Sequence, residues 1–297
     1  MLKSILIGSN GYLGRHLAHM LKNEGFENSN YDIHTQPTPG LENYSTLDIS
    51  DKKSFYQLNP DLDFIFMFAG LSGTAVGFDK YEDFIDINET GLLNLLDWMR
   101  KTTCRARIVF PSSRLVYKGK KNQLLKEDDP KETKTIYSLN KMAAENLLCM
   151  YQNAFGIDYT IFRICVPYGN LFDNRFSYGT LDFFLNKAQN TEDIILYGDG
   201  LLHRTFTHVE DICNVIINGV QYEKTKNEIF NIGGENLSLL DVAYLVANKF
   251  HVKVKFIEWP KIAMKLETGD TMFDDTKLRN AGFSDYHHQV KNWLTGK

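Results

Sequence analysis

Tyr137 and Lys141 stand four residues apart, so on a helix their phenol and ammonium share one face. An ammonium beside a phenol lowers the phenol pKa from about 10, which lets it exchange a proton with a substrate hydroxyl or carbonyl near neutral pH. Ser112 and Ser113 follow the apolar run Ile108–Pro111, and a hydroxyl at such a strand end can hold the same substrate oxygen. Gly8, Gly11 and Gly14, spaced G-x-x-G-x-x-G, follow a first apolar run and open an amphipathic stretch. That pattern makes a turn tight enough for backbone N–H groups and a helix N-terminus to approach a pyrophosphate, an approach any side chain would block.

The acid at the end of the second strand of such a unit reads the ribose. Asp32 stands there, where its carboxylate can take both ribose hydroxyls and repel a 2′-phosphate, so NAD is the expected cofactor. Arg15 keeps NADP open as the alternative: it either reaches a 2′-phosphate or is solvated in the first helical turn. Asp48, at the end of the third expected strand, either accepts from an adenine amino group or caps the next helix.

These residues need a frame. Short apolar runs alternate with amphipathic stretches through the first half, the pattern of a parallel sheet with crossover helices on both faces. Expected strands are 4–7, 31–34, 44–47, 64–68, 108–111 and 159–164, and expected helices are 12–23, 81–101 and 137–155. Beyond Pro167 the rhythm loosens. Gly and Asn punctuate 168–179, a helix is expected over 181–188, strands over 194–197, 228–232 and 252–257, and a helix over 239–250 with Ser238 as its cap. The fold class is therefore α/β, a Rossmann doubly wound parallel sheet with a smaller α+β substrate-binding C-terminal lobe. The expected division is 1–166 for the dinucleotide domain, with 202–234 partly returning to it, and 167–201 plus 235–297 for the lobe.

A chain of 297 residues with 43% hydrophobic and 24% charged residues can bury a core, which sets aside disorder and fibrous repeats. The net charge of −4 offers no field for nucleic acid or an anionic membrane. No apolar stretch approaches the roughly 20 residues of a membrane span. Residues 1–7 read as a strand, not a signal peptide. Cys104, Cys149, Cys165 and Cys213 form neither a CxxC pair nor a zinc pattern, so reduced, mostly buried thiols in a cytoplasmic protein are expected. No metal site is expected: His203 and His208 are read as packing or hydrogen-bonding groups, and His287 and His288 as solvated. The charge-dense stretch 118–134 is read as a solvated loop that neutralises itself.

The glycines, Ser113, and Tyr137 with Lys141, in that chain order, resemble the extended short-chain dehydrogenase/reductase family, in particular its nucleotide-sugar epimerases, dehydratases and 4-keto reductases. The resemblance includes Phe68-Ala69-Gly70, Asn88-Glu89-Thr90-Gly91, the run from Pro111 to Tyr117, 163–169, 197–200, 204–211 and 230–233. It implies Ser113 as the catalytic serine, Tyr137 as acid/base, and Lys141 as the residue that binds the ribose and lowers the phenol pKa. It implies cofactor contacts from Asn10, Tyr12, Leu13, Ile49, Phe68, Ala69, Gly70 and Asn88, and from Pro167 against the nicotinamide. Substrate contacts would come from Ser72, Ser112, Ser113, Arg114, Tyr137 and Arg204, with Arg204 neutralising a diphosphate. Arg114 either reads a substrate group or pairs with a nearby carboxylate.

The chain also departs from that pattern. Arg114-Leu115 stands where dehydratases carry Asp-Glu, so dehydration is not expected. Val166 replaces an Asn found in many epimerases, and Glu267 stands where a second diphosphate arginine is usual, with Lys265 as a substitute. The expected activity is hydride transfer from NAD(P)H to an NDP-4-keto-6-deoxyhexose with Tyr137 as general acid, a reductase reading to which Asp32-Ile33-His34-Thr35 also points. The alternative is a nucleotide-sugar 4-epimerase that keeps NAD+ bound, and a third reading is a non-catalytic dinucleotide sensor. The resemblance also implies a homodimer, formed through the helices containing 92–99 and 137–155.

Overall fold

Phe64–Met67 is buried at every position, as a strand covered by helices on both faces must be. It belongs to a seven-stranded parallel sheet in the first of two compact units of this computed structural model, which describes residues 1–172, 179–283 and 285–296. Unit 1 comprises Met1–Val116, Thr135–Arg163 and Ile216–Ile229, and unit 2 comprises Tyr117–Lys134, Ile164–Val215 and Phe230–Lys297.

The first five strands of unit 1 are β1 (Lys3–Ile7), β2 (Glu27–Asp32), β3 (Tyr44–Thr46), β4 (Phe64–Met67) and β5 (Arg107–Ser113). Across the sheet the order is Glu228–Asn231, Tyr159–Ile164, β5, β4, β1, β2, β3. From β1 the chain adds strands first on one side and then on the other, so β1 and β4 flank the switch point where open α/β sheets bind ligands. Helix α1 (Tyr12–Asn23) buries Leu17, Ala18, Met20 and Leu21. The helix Gly91–Thr102 buries Leu92, Leu95, Leu96 and Met99 in one apolar cluster with Ile5, Ile65 and Ile108. Each fully buried Leu of this kind contributes about 1.5–3 kcal/mol.

Two elements differ from expectation. β2 starts at Glu27, because Asn28, Ser29 and Asn30 are strand residues. The polar side chains satisfy one another: Ser4 Oγ donates to Asn28 Oδ1 (2.8 Å), Asn28 Nδ2 to Asn30 Oδ1 (2.8 Å) and Asn30 Nδ2 to the Glu42 carbonyl (2.7 Å). The expected long helix 81–101 is interrupted by a π-helical turn, Asp86–Thr90. Such widened turns put one extra residue into a helix, commonly at functional sites. Here it carries Asn88, whose side chain is bonded outside the helix to both backbone groups of Leu71.

Unit 2 is mixed α+β. His203–His208 pairs antiparallel with Glu235–Ser238 and parallel with Val166–Tyr168, and Ile194–Tyr197 pairs with Val254–Ile257. Ser238 caps the helix Leu239–Phe250 through a reciprocal bond with Asp241. The stretch 118–134 is not a free loop, since Leu124–Leu125 pairs with Met272–Phe273 and Leu125 is fully buried. Of 202–234, only Ile216–Ile229 belongs to unit 1. Positions 173–178 of the Gly- and Asn-punctuated stretch lie outside the described residues. Cys104, Cys165 and Cys213 are buried and Cys149 is exposed. No helix among the described residues is long and apolar enough to cross a membrane.

Asn30→Val raises strand propensity but strips the partners from Asn28 and the Glu42 carbonyl. It is expected to lower unfolding stability in urea by about 1–3 kcal/mol, the cost of unsatisfied buried groups; an unchanged midpoint would contradict the account of β2.

Candidate active site

Gly8 adopts φ +93°, and a Cβ there would fall 2.3 Å from the Ala69 backbone nitrogen. A Cβ at Gly14 would fall 2.0 Å from the Gly8 carbonyl oxygen. The turn therefore closes only on hydrogen atoms. Its product is α1, whose first turn has no side-chain cap on Gly11 and no acidic residue. Its first N–H groups, with the positive end of the helix dipole, are left for an anion. In front lies a cavity of about 300 Å³ lined by Gly8, Asn10, Gly11, Asp32, Asp48, Ile49, Phe68, Ala69 and Gly70, together with Ile7, Ile33, His34, Leu47, Leu71 and Ile87.

Asp32 is 8% exposed, and its carboxylate accepts N–H bonds from Asn10 (3.0 Å) and His34 (3.3 Å). Arg15 and the α1 residues Tyr12 and Leu13 are not among the lining residues; the Arg15 guanidinium lies 5.9 Å from the Tyr12 ring centroid. Asp48 lines the cavity while its Oδ1 accepts from Ser50 N–H and Oγ; the cap of the next helix is Asp51. Asn88 is a step removed: it holds Leu71 and approaches Asn140 at 3.3 Å, so it fixes the loop after β4 that walls the cavity. Ser72 is exposed in that loop.

Ser113 ends β5, is 9% exposed, and its Oγ accepts the Leu115 N–H at 3.2 Å. Arg114 begins the 3-10 turn that follows. Tyr137 and Lys141 lie on the helix Ile136–Phe155, which Thr135 opens through a reciprocal bond with Ser138. The Lys141 ammonium donates to the Pro111 carbonyl at 2.8 Å and lies 4.3 Å from the Phe110 ring centroid and 5.7 Å from that of Tyr137. One hydrogen bond thus ties the helix carrying the phenol to the strand end carrying the serine. Burial pushes the Lys141 ammonium down to about 8, and the Glu145 carboxylate opposes that fall.

Glu145 is the residue sequence reasoning missed. One turn beyond Lys141, it is 4% exposed and forks with Arg163 at 2.9 and 2.6 Å. It also accepts from Ser112 Oγ at 2.5 Å. Ser112 is thereby committed inward. The available signal was spacing: Tyr137, Lys141 and Glu145 continue the four-residue step along one helix face.

In unit 2, Arg204 is 2% exposed and donates to the carbonyls of His203 (2.8 Å) and Gly269 (2.6 Å) and to Glu267 Oε1 (2.6 Å). The same Glu267 oxygen accepts the N–H groups of Thr268 and Gly269. Pro167 lies on the strand Val166–Tyr168. His288, expected to be solvated, is half-buried between Asp211 at 3.0 Å and Glu210 at 3.3 Å. His208, Glu210 and His288 bring ligand atoms within 4.8 Å of one another. The two rings stack at 3.9 Å and 22°.

Residues 4–233 match the model of the NAD dependent epimerase/dehydratase family. The chain belongs to that family. A UDP-N-acetyl-alpha-D-glucosaminuronate decarboxylase of Bacillus cytotoxicus is 28% identical, the match covering 87% of this chain and 83% of that protein. A putative UDP-glucose 4-epimerase of Methanocaldococcus jannaschii is 30% identical over 77% of this chain and 76% of its own. Among solved structures, the Thermus thermophilus UDP-glucose 4-epimerase complex with NAD shares the fold with a TM-score of 0.85 at 19% identity, covering 99% of this chain and 97% of that one. The family is NAD-dependent. The glycine turn that no side chain could fill, the uncapped helix and the cavity at the switch point fit that cofactor.

Two outcomes test the charges around Lys141. Between about pH 8 and 10.5 the unfolded chain keeps a proton that folded Lys141 has released, so this group's contribution to stability rises with pH in that window. Subtracting the stability-against-pH curve of Lys141→Met from that of the parent is expected to expose the slope, and parallel curves would contradict it. Glu145→Leu leaves Arg163 buried and uncompensated, at an expected cost of about 3–5 kcal/mol. Adding Arg163→Met should recover most of the loss in a denaturation experiment.

Proposed function

We propose that the protein is an NAD-dependent oxidoreductase of nucleotide sugars and that Ser113, Tyr137 and Lys141 carry its reaction. The observation that carries the reading is the Lys141 bond to the Pro111 carbonyl, which joins the YxxxK helix to the strand end bearing Ser113. NAD, when bound, supplies the hydride chemistry at a sugar carbon. Tyr137 moves the proton to or from the sugar oxygen. Ser113 holds that oxygen and offsets negative charge as it develops. Lys141, held in place at its nitrogen, keeps positive charge beside the phenol and so eases the proton exchange that Tyr137 carries out.

The relative named as a putative UDP-glucose 4-epimerase supports a version in which the same carbon is oxidised and then reduced from its other face. One-way reduction of a nucleotide-linked 4-keto-6-deoxyhexose is the second version. It draws support from Arg114-Leu115, which supplies no acid pair for dehydration. A homodimer is part of the proposal, with Leu139, Met150 and Phe155 exposed along the helix Ile136–Phe155.

Denaturing extraction of purified protein, followed by mass analysis of released dinucleotide, separates the versions. Stoichiometric NAD+ with interconversion of UDP-sugars and no added cofactor is the epimerase outcome. Little retained cofactor with NADH consumption on 4-keto sugars is the reductase outcome. In either, Tyr137→Phe is expected to lower kcat by about 10²–10⁴, and light scattering is expected to give a dimer mass. Absence of both UDP-sugar interconversion and NAD(P)H consumption would overturn the proposal.

A further inference from the structure

The glycine turn contains one side chain with four hydrogen-bonding positions, Asn10, and all four are used on Gln36 and Thr38, in the segment that follows β2, and on Tyr44, the first residue of β3. Its Oδ1 accepts the Thr38 N–H (2.7 Å) and Thr38 Oγ1–H (3.0 Å), and its Nδ2 donates to the Gln36 carbonyl (3.0 Å) and the Tyr44 hydroxyl (3.1 Å). Tyr44 in turn donates to the His34 carbonyl. The Asn10 backbone N–H holds Asp32 at 3.0 Å, and the His34 N–H holds the other carboxylate oxygen. The segment itself has little else to order it: Ile33, His34, Thr35, Gln36 and Pro37 are all exposed. Ile33, His34 and Asp32 nevertheless form the cavity wall on this side.

We propose that Asn10 is a positioning residue for cofactor selectivity: it pins residues 33–38 against the glycine turn, so that Asp32 faces the ribose and the wall beyond it cannot open for a 2′-phosphate. The inference rests on reading the cavity as the dinucleotide site. A carboxylate alone repels a phosphate, but an exposed segment could yield and let solvent and cations screen the repulsion. Here yielding means breaking the Asn10 bonds to Thr38, Gln36 and Tyr44 together. The hydroxyl-bearing ribose needs no such movement, so the cost falls on NADP+ alone.

The test is binding and needs no substrate. Protein stripped of co-purified dinucleotide is titrated calorimetrically with NAD+ and with NADP+. The parent is expected to prefer NAD+. Asn10→Ala, with Asp32 intact, is expected to shrink the ratio of the NADP+ to NAD+ dissociation constants by about tenfold, as expected for losing several net hydrogen bonds of a shared clamp. Tyr44→Phe, which keeps the ring and removes two of the links, is expected to move the ratio the same way by less, and it carries the test if Asn10→Ala does not fold. A general structural loss would weaken both dinucleotides alike, so an unchanged ratio overturns the inference. So does a parent that binds NADP+ as tightly as NAD+. A parent that binds neither overturns the dinucleotide reading itself, and this inference with it.

Discussion

The site depends on the closeness of two backbone turns, those that leave β1 and β4. Gly8 and Ala69 come together where a single carbon atom would not fit, and Gly14 closes the same turn from within the helix. That approach decides where α1 begins, so it decides where its unpaired N–H groups point. It also brings the loop after β4 to the cavity, and that loop is in turn held by Asn88. The widened helical turn that carries Asn88 is intelligible on this basis. A regular helix would place that side chain elsewhere along its surface, and Leu71 would lose both of its backbone partners.

A second layer of organisation is electrostatic and lies below the reacting groups. Lys141 is nearly buried and is held by a neutral carbonyl. The Glu145–Arg163 pair one turn deeper is sealed from water, and Glu145 also holds Ser112. Replacing a buried pair by apolar residues is often neutral for stability, whereas halving it is costly. Its value is therefore positional: Ser112 is fixed from beneath, and Ser113 follows it in the chain.

Much of this was legible in the sequence, and the reason is local. Glycine spacing, the YxxxK step and near-continuous apolar strands are short-range patterns whose physics does not depend on the rest of the chain. Asp32 lies at the end of β2 as expected, even though the expected strand, 31–34, began four residues late, because a strand built from Asn28, Ser29 and Asn30 has no hydrophobic signature. Glu145 was missed for a related reason: its spacing from Lys141 was visible, but a glutamate on a helix reads as solvated until its partner, Arg163, is known to lie beneath it. Arg204 could be singled out by the family resemblance, but not its closure by Glu267, which comes from a distant turn. Polar residues whose partners are remote in sequence are where one-dimensional reading stops.

The composition of β2 has a consequence for how the sheet assembles. Ser4 is the Cα partner of Asn28, and the relay from Ser4 through Asn28 and Asn30 to Glu42 exists in one alignment only. A hydrophobic strand slipped along its neighbour by two residues still buries oil against oil, and its penalty is graded. β2 has no such near misses, because any slip leaves amides facing apolar neighbours. The segment least like a strand is in this sense the sheet's alignment key.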